Sequence, residues 1–140
     1  MSEKLIMKVF VNTKERQRIE SHAGTILMIL FDGTVSGEIF NGVLLPDGMD
    51  MQHIDVNGVK HMSARYMAEG KDCTGAKCRI YIENNGHFPV DAPKPFKTIP
   101  TFYTDSEELA PYLHCNKFRG EGHRDENGLV IKFFEINTKG

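Results

Sequence analysis

The chain has 140 residues, 40% hydrophobic and 26% charged, with a net charge of −2. That size suits one domain, residues 1–140, built on one core. The charge balance excludes nucleic acid as the main partner, because phosphate neutralisation needs clustered Lys and Arg; no apolar run approaches the ~20 residues of a membrane-spanning helix.

The first strand-length run is Leu5–Asn12. Glu3 before it and Lys8 within it argue against a signal peptide. Lys14-Glu15-Arg16-Gln17-Arg18 is basic but interrupted by an acid, and reads as a solvated loop. Further strands are expected at Thr25–Phe31, Val35–Ile39, Gly42–Leu45, Met49–Asp55, His61–Glu69 and Ala76–Asn84. His87–Pro100 carries four of the six prolines and reads as an extended loop or lid. Ile99–Thr104 follows as a strand. A short helical turn is expected near residues 106–113, with Ser106 or Asp105 as N-cap and Pro111 limiting its length. Phe118–Arg124 and Leu129–Ile136 complete the strands.

Asp32-Gly33, Asn41-Gly42, Asp47-Gly48, Asn57-Gly58, Asn85-Gly86 and Asn127-Gly128 punctuate these runs. Gly accepts the positive φ of tight hairpin turns, and Asn or Asp tolerates it better than most. Regular turn signals between short strands predict an all-β fold. In Thr25–Asp32 one face carries Leu27, Ile29 and Phe31 while the other carries Ile26, Met28 and Leu30. Two apolar faces predict a closed barrel whose outside is covered by a subunit or a loop, and a homo-oligomer is expected.

Cys73, Cys78 and Cys115 make an odd number of cysteines. That fits free thiols in a reducing, cytoplasmic setting, and there is no second cysteine pair to complete a zinc site. The six histidines show no ligand spacing. No metal and no cofactor is expected. There is no G-x-S-x-G elbow. Gly120-Glu121-Gly122 lacks the strand–loop–helix context of a phosphate loop and reads as a strand bend or close backbone approach. His114 and His123 flank that region as candidates for a pocket rim.

Asp50 and Arg65 are charges inside strand-like runs, Met49–Asp55 and His61–Glu69. A charge on a buried face needs a partner, and these two can serve each other. Side chains alternate along a strand, so Asp50 shares a face with Gln52, and Arg65 with Ser63. With those faces aligned, a pocket would hold Asp50, Gln52, Ser63 and Arg65. Arg65 would grip a carboxylate, phenol or enol, and Asp50 would act as acid or base if burial raised its pKa. The alternative is an ion pair that only stitches the barrel. Tyr66 falls on the face opposite Arg65 and reads as packing. Tyr103, beside the proline-rich loop, is a candidate for the pocket mouth.

The order of motifs resembles the domain of unknown function 3237 family of small, mostly bacterial proteins. The matching residues are Gly33 and Gly37, then Leu45-Pro46-Asp47-Gly48-Met49-Asp50-Met51-Gln52, then Ala64-Arg65-Tyr66 and Asn84-Asn85-Gly86. Phe102, Tyr112-Leu113 and Phe118-Arg119-Gly120-Glu121-Gly122-His123-Arg124 complete the series. The resemblance implies an antiparallel, calycin-like β-barrel with a central cavity and no assigned activity. It also implies Asn84 and Arg124 as site residues beside Asp50, Gln52 and Arg65. Met51 and Tyr112 stand where the family pattern has Trp, and His114 where it has Asn.

The expected function is binding of a small, partly apolar, anionic or hydroxylated molecule in the barrel lumen. One alternative is a cofactor-free isomerase, cyclase or lyase in which Asp50 transfers a proton. Another is an interaction protein whose barrel is filled and binds no ligand.

Overall fold

Nine strands form one antiparallel sheet that closes on itself. The computed structural model describes residues 2–126 and 128–137. In chain order the strands are β1 (Ser2–Ser21), β2 (Gly24–Ser36), β3 (Phe40–Leu44), β4 (Gly48–Ile54), β5 (Val59–Asp72), β6 (Lys77–Pro89), β7 (Phe96–Thr104), β8 (Phe118–Asp125) and β9 (Gly128–Asn137). A short helix, α1 (Ala110–Leu113), lies between β7 and β8. Hydrogen bonding runs in the order β1-β9-β8-β7-β6-β5-β3-β2-β4, and β1–β2 and β5–β4 pairings close the ring. β3 and β4 share one place in it, each bridging part of the gap between β2 and β5. The expected antiparallel β-barrel with a helical turn is present.

Several strands are longer than the sequence pattern predicts. β1 has 20 residues because it serves two neighbours, β9 through Ser2–Val11 and β2 through Lys8–Ser21. The stretch Lys14-Glu15-Arg16-Gln17-Arg18, expected as a loop, is exposed strand with a bulge between Thr13 and Glu15. Asp32-Gly33 is not a turn but lies inside β2. Gly33 pairs with Val11, and a Cβ there would sit 2.0 Å from the Phe10 carbonyl oxygen. Glycine lets two backbones approach, so the strand continues instead of turning. Asn41-Gly42 and Asn85-Gly86 likewise fall inside β3 and β6. The proline-rich segment shrinks to residues 90–95, its ends being absorbed into β6 and β7. Asn57-Gly58 is a genuine turn, with Gly58 at φ 77°. Asn127 lies outside the described residues.

Alternation along β5 sets the inside and outside of the barrel. Met62, Ala64, Tyr66 and Ala68 are buried, whereas His61, Arg65 and Met67 are exposed. Below the level of Tyr66 the interior is packed with apolar groups. Phe102 meets Phe118 and Phe133 edge-on, at 5.3 and 5.2 Å between ring centroids. Leu109 and Leu113, from the α1 segment, are buried in the same cluster and plug this end.

A satisfied polar network ties that plug down. Asp72, buried at the end of β5, accepts hydrogen bonds from Ser106 Oγ (2.6 Å), Thr74 Oγ1 (2.6 Å) and the N–H groups of Thr74 (2.9 Å) and Ala76 (3.1 Å). These bonds, led by that from Ser106, hold its pKa down at about 2. Ser106 Oγ also accepts the Leu109 N–H (3.1 Å) and so anchors the turn before α1, whose N-cap is Leu109 without a side-chain cap, not the expected Ser106 or Asp105. Pro111 sits in the first turn of α1.

Candidate functional site

The opposite end of the barrel is open. An inner cavity of about 60 Å³ is lined by Asp50, Tyr66, Asn84, Phe31, Ile29 and neighbouring strand residues. It adjoins an outer compartment of about 290 Å³, walled by Phe88 and Phe96 and carrying Lys60, Lys94, His123 and Arg124. Asp50, Gln52, Met62, Arg124 and Leu129 line both. The lumen is therefore not packed solid.

Sheet register assembles the inner wall. Ile29 pairs with Asp50, Asp50 with Ala64, and Ala64 with Asn84, so these four side chains share one level of one face. Small Ala64 leaves the space between Asp50 and Asn84. One level deeper, Gly48 leaves room for the ring of Phe31 and for Tyr66: a Cβ there would meet both at 3.0 Å. The Phe31 and Tyr66 rings pack edge-on at 5.2 Å.

The electrostatics of this wall are unusual for a core. Among the described residues, four buried side-chain oxygens have no protein partner, and three of them, Asp50 Oδ1, Tyr66 Oη and Asn84 Oδ1, belong to residues lining the inner cavity. An unmet buried polar atom costs ~1–3 kcal/mol. The other carboxylate oxygen, Asp50 Oδ2, accepts a 2.7 Å hydrogen bond from Gln52 Nε2. Burial raises the Asp50 pKa, against the pull of Gln52 and the Lys60 charge. Burial also raises the Tyr66 phenol, helped by the negative charge of Asp50. Lys60 is lowered by burial and by the nearby charges of Lys94 and Arg124, with Asp50 opposing. The arrangement offers a protonatable carboxyl and a neutral phenol at the base, and positive charge at the mouth.

The structure divides the expected site residues. Asp50, Gln52, Asn84 and Arg124 come together around the lumen. Ser63, Arg65 and Tyr103 do not. Arg65 pairs across strands with Met49 and Glu83 and points outward, its side chain 63% exposed and its Nε 3.8 Å from Glu83 Oε1. Ser63 lies on the same outer face, 3.4 Å from Arg65 Nε. The Asp50–Arg65 ion pair is absent because register puts the two side chains on opposite faces of the sheet. Tyr103 is 68% exposed and stacks on His114 outside the barrel, 4.9 Å between centroids. Of the two candidate rim histidines, only His123 lines the mouth.

Tyr66, Lys60 and Lys94 were missed by sequence reasoning. The signal for Tyr66 was there: Met62, Ala64, Tyr66 and Ala68 form an apolar stripe at period two, and a phenol within such a stripe faces inward. The two lysines carried no comparable signal, since a mouth residue is half solvated. The departures from the family pattern fall elsewhere. Met51 is exposed on the outer face. Tyr112 packs on Phe118 and donates to Glu135 at the plugged end. Gly122 matches the close approach expected of it, lying beneath the Phe96 ring, where a Cβ would come within 2.0 Å.

Three similar proteins place this architecture in context. A UPF0311 protein of Clostridium acetobutylicum is 35% identical over 126 residues, covering 79% of this chain and 77% of that protein. A crystal structure of a protein with unknown function from Clostridium acetobutylicum superposes with a TM-score of 0.81 at 30% identity, covering 98% of this chain and 100% of the other. A β-barrel-like protein from Acinetobacter baumannii shares the fold at 19% identity, with a TM-score of 0.78 and coverage of 97% and 96%. The motifs, the closed antiparallel sheet and a match over residues 3–136 agree: the chain belongs to the protein-of-unknown-function family DUF3237.

Proposed function

We propose that the protein binds a small, partly apolar molecule carrying anionic or hydroxyl groups in the barrel lumen. The observation that carries this reading is the set of three unpartnered oxygens, Asp50 Oδ1, Tyr66 Oη and Asn84 Oδ1, gathered on one cavity. Convergent polar groups in an otherwise apolar recess are the usual composition of a ligand site. Arg124 takes the anion-holding role that sequence reasoning gave to Arg65, and Asp50 and Gln52 orient the ligand.

A thermal-shift screen of small carboxylates, phenols and enols tests this. A true ligand at a hundredfold excess over its Kd stabilises the fold by about 2.7 kcal/mol. Ala64→Leu, which fills the level between Asp50 and Asn84, should abolish the shift. The reading fails if no compound shifts the wild type, or if the filled variant responds equally.

A second reading, a cofactor-free isomerase, cyclase or lyase, draws support from the raised pKa of Asp50 in a cavity wall. Asp50→Asn separates the two. A binder keeps much of its affinity, whereas an enzyme binds substrate and loses turnover. We also propose a homo-oligomer acting in the cytoplasm. The half-exposed outer faces of β2 and β4 carry Met28, Leu30 and Met49, which supports self-association. Light scattering at a monomer mass would sink that part.

A further inference from the structure

The two compartments of the lumen differ in chemistry, and the difference has a direction. The inner one presents two acceptor oxygens, Asp50 Oδ1 and Asn84 Oδ1, and one phenol, Tyr66. A ligand hydroxyl engages two of the three: it donates to one carboxyl or amide oxygen and accepts from the phenol O–H. A ligand carboxylate does not, since it only accepts and would lie against the Asp50 carboxyl and the Asn84 carbonyl oxygen. The outer compartment carries the opposite preference. Lys60, Lys94 and Arg124 line it together; burial first, and then the like charges of Lys94 and Arg124, lower the Lys60 pKa. An anion relieves the repulsion between these like charges. Volume agrees with the polarity. About 60 Å³ admits a hydroxyl and the ring edge that bears it, while about 290 Å³ admits the rest of the molecule. Phe88 and Phe96, 5.7 Å apart, form an aromatic wall beside the cations.

We infer that the ligand is a two-ended molecule, a phenolic or enolic acid, which enters with its hydroxyl inward against Asp50, Tyr66 and Asn84 and leaves its acid group at the mouth among Lys60, Lys94 and Arg124. This rests on the lumen being a ligand site and adds the ligand's class and orientation. Tyr66 is the specificity residue for the hydroxyl end. The mouth cations are selective for the acid end and are partly exposed, so their contribution falls with salt.

Isothermal titration calorimetry with 4-hydroxycinnamate and cinnamate tests the orientation. The wild type should bind 4-hydroxycinnamate about fivefold or more tighter than cinnamate, the gain of one well-placed hydrogen bond. Tyr66→Phe, an isosteric change that spares the fold, should shrink that gap and leave cinnamate affinity unchanged. Lys94→Gln combined with Arg124→Gln should weaken both acids about fivefold and preserve the gap. If the wild type binds both acids equally, or Tyr66→Phe weakens both alike, the orientation is wrong while the lumen site stands. If neither acid binds while another compound of the screen does, the ligand class and orientation fall and the lumen site stands; if no compound binds, both fall.

Discussion

Asp50 and Asp72 are two carboxyl groups turned into the same barrel, and the fold treats them oppositely. Asp72 receives two hydroxyl and two backbone hydrogen bonds, and its pKa falls to about 2. Asp50 receives one bond, from Gln52, keeps one oxygen without a protein partner, and has its pKa raised. Burial is the leading influence on Asp50, whereas at Asp72 the donors outweigh it, so depth of burial and number of donors together set the difference. A carboxylate fully supplied with donors fixes structure, here the plug of the closed end. One left short of donors at an open cavity is poised to meet a ligand.

Asp72→Ala should have the largest effect. It strips Ser106, Thr74 and two N–H groups of their acceptor and should give the largest loss of melting temperature among these variants. Because the folded pKa of Asp72 lies below the unfolded value of roughly 3.9, its contribution is complete above that value and is lost as pH falls towards about 2. The gap between wild type and Asp72→Ala should therefore close in acid, as read by urea unfolding from pH 7 to pH 2; a pH-independent gap would refute this.

Gly122→Ala comes next. Its methyl group would displace the Phe96 ring from the mouth, with an overpacking cost of about 1–3 kcal/mol and weakened probe binding by calorimetry.

Asp50→Asn should act with the opposite sign to Asp72→Ala. A carboxyl with a raised folded pKa destabilises the native state once pH exceeds its unfolded value, because ionising it in place is unfavourable. The variant should be slightly more stable than wild type at pH 7 and equal to it below about pH 4. A variant less stable at neutral pH would place Asp50 in the same structural class as Asp72. Arg65→Ala should do least. Its side chain is 63% exposed and its one ion pair is long, so stability should change by less than about 0.5 kcal/mol and probe affinity not at all. A large loss of probe affinity would restore it to the site.

Much of this was legible in the chain. Strand-length runs and turn dipeptides pointed to an all-β fold, apolar residues on both strand faces to a barrel and the family resemblance to an antiparallel one, while Pro111 limited the helical turn to a short one. Asp50, Gln52, Asn84 and Arg124 were picked out and do converge. Arg65 and Ser63 were misassigned for one physical reason. A two-residue Asn57-Gly58 loop would pair Val56 with Val59 and, continued along the hairpin, Asp50 with Arg65. The actual loop has three residues: Asp55 bonds to Val59, and Asp50 pairs with Ala64. One residue of slip turns a whole strand face over. The Asx-type bonds that the N–H groups of Asn57 and Val59 donate to Asp55 Oδ1 stabilise the longer turn.

The order of residues along each strand sets its periodicity, and with it which side chains travel together: Asp50 with Gln52, Tyr66 with Ala64, Arg65 with Ser63. That information is local, because alternation follows from backbone geometry. Which of those faces meet, and which turn inward, follows from long-range strand pairing. Register depends on a single turn residue, and closure depends on pairings between strands as distant as β1 and β9. The site of Asp50, Tyr66 and Asn84, with its cationic mouth, exists only after both choices are made.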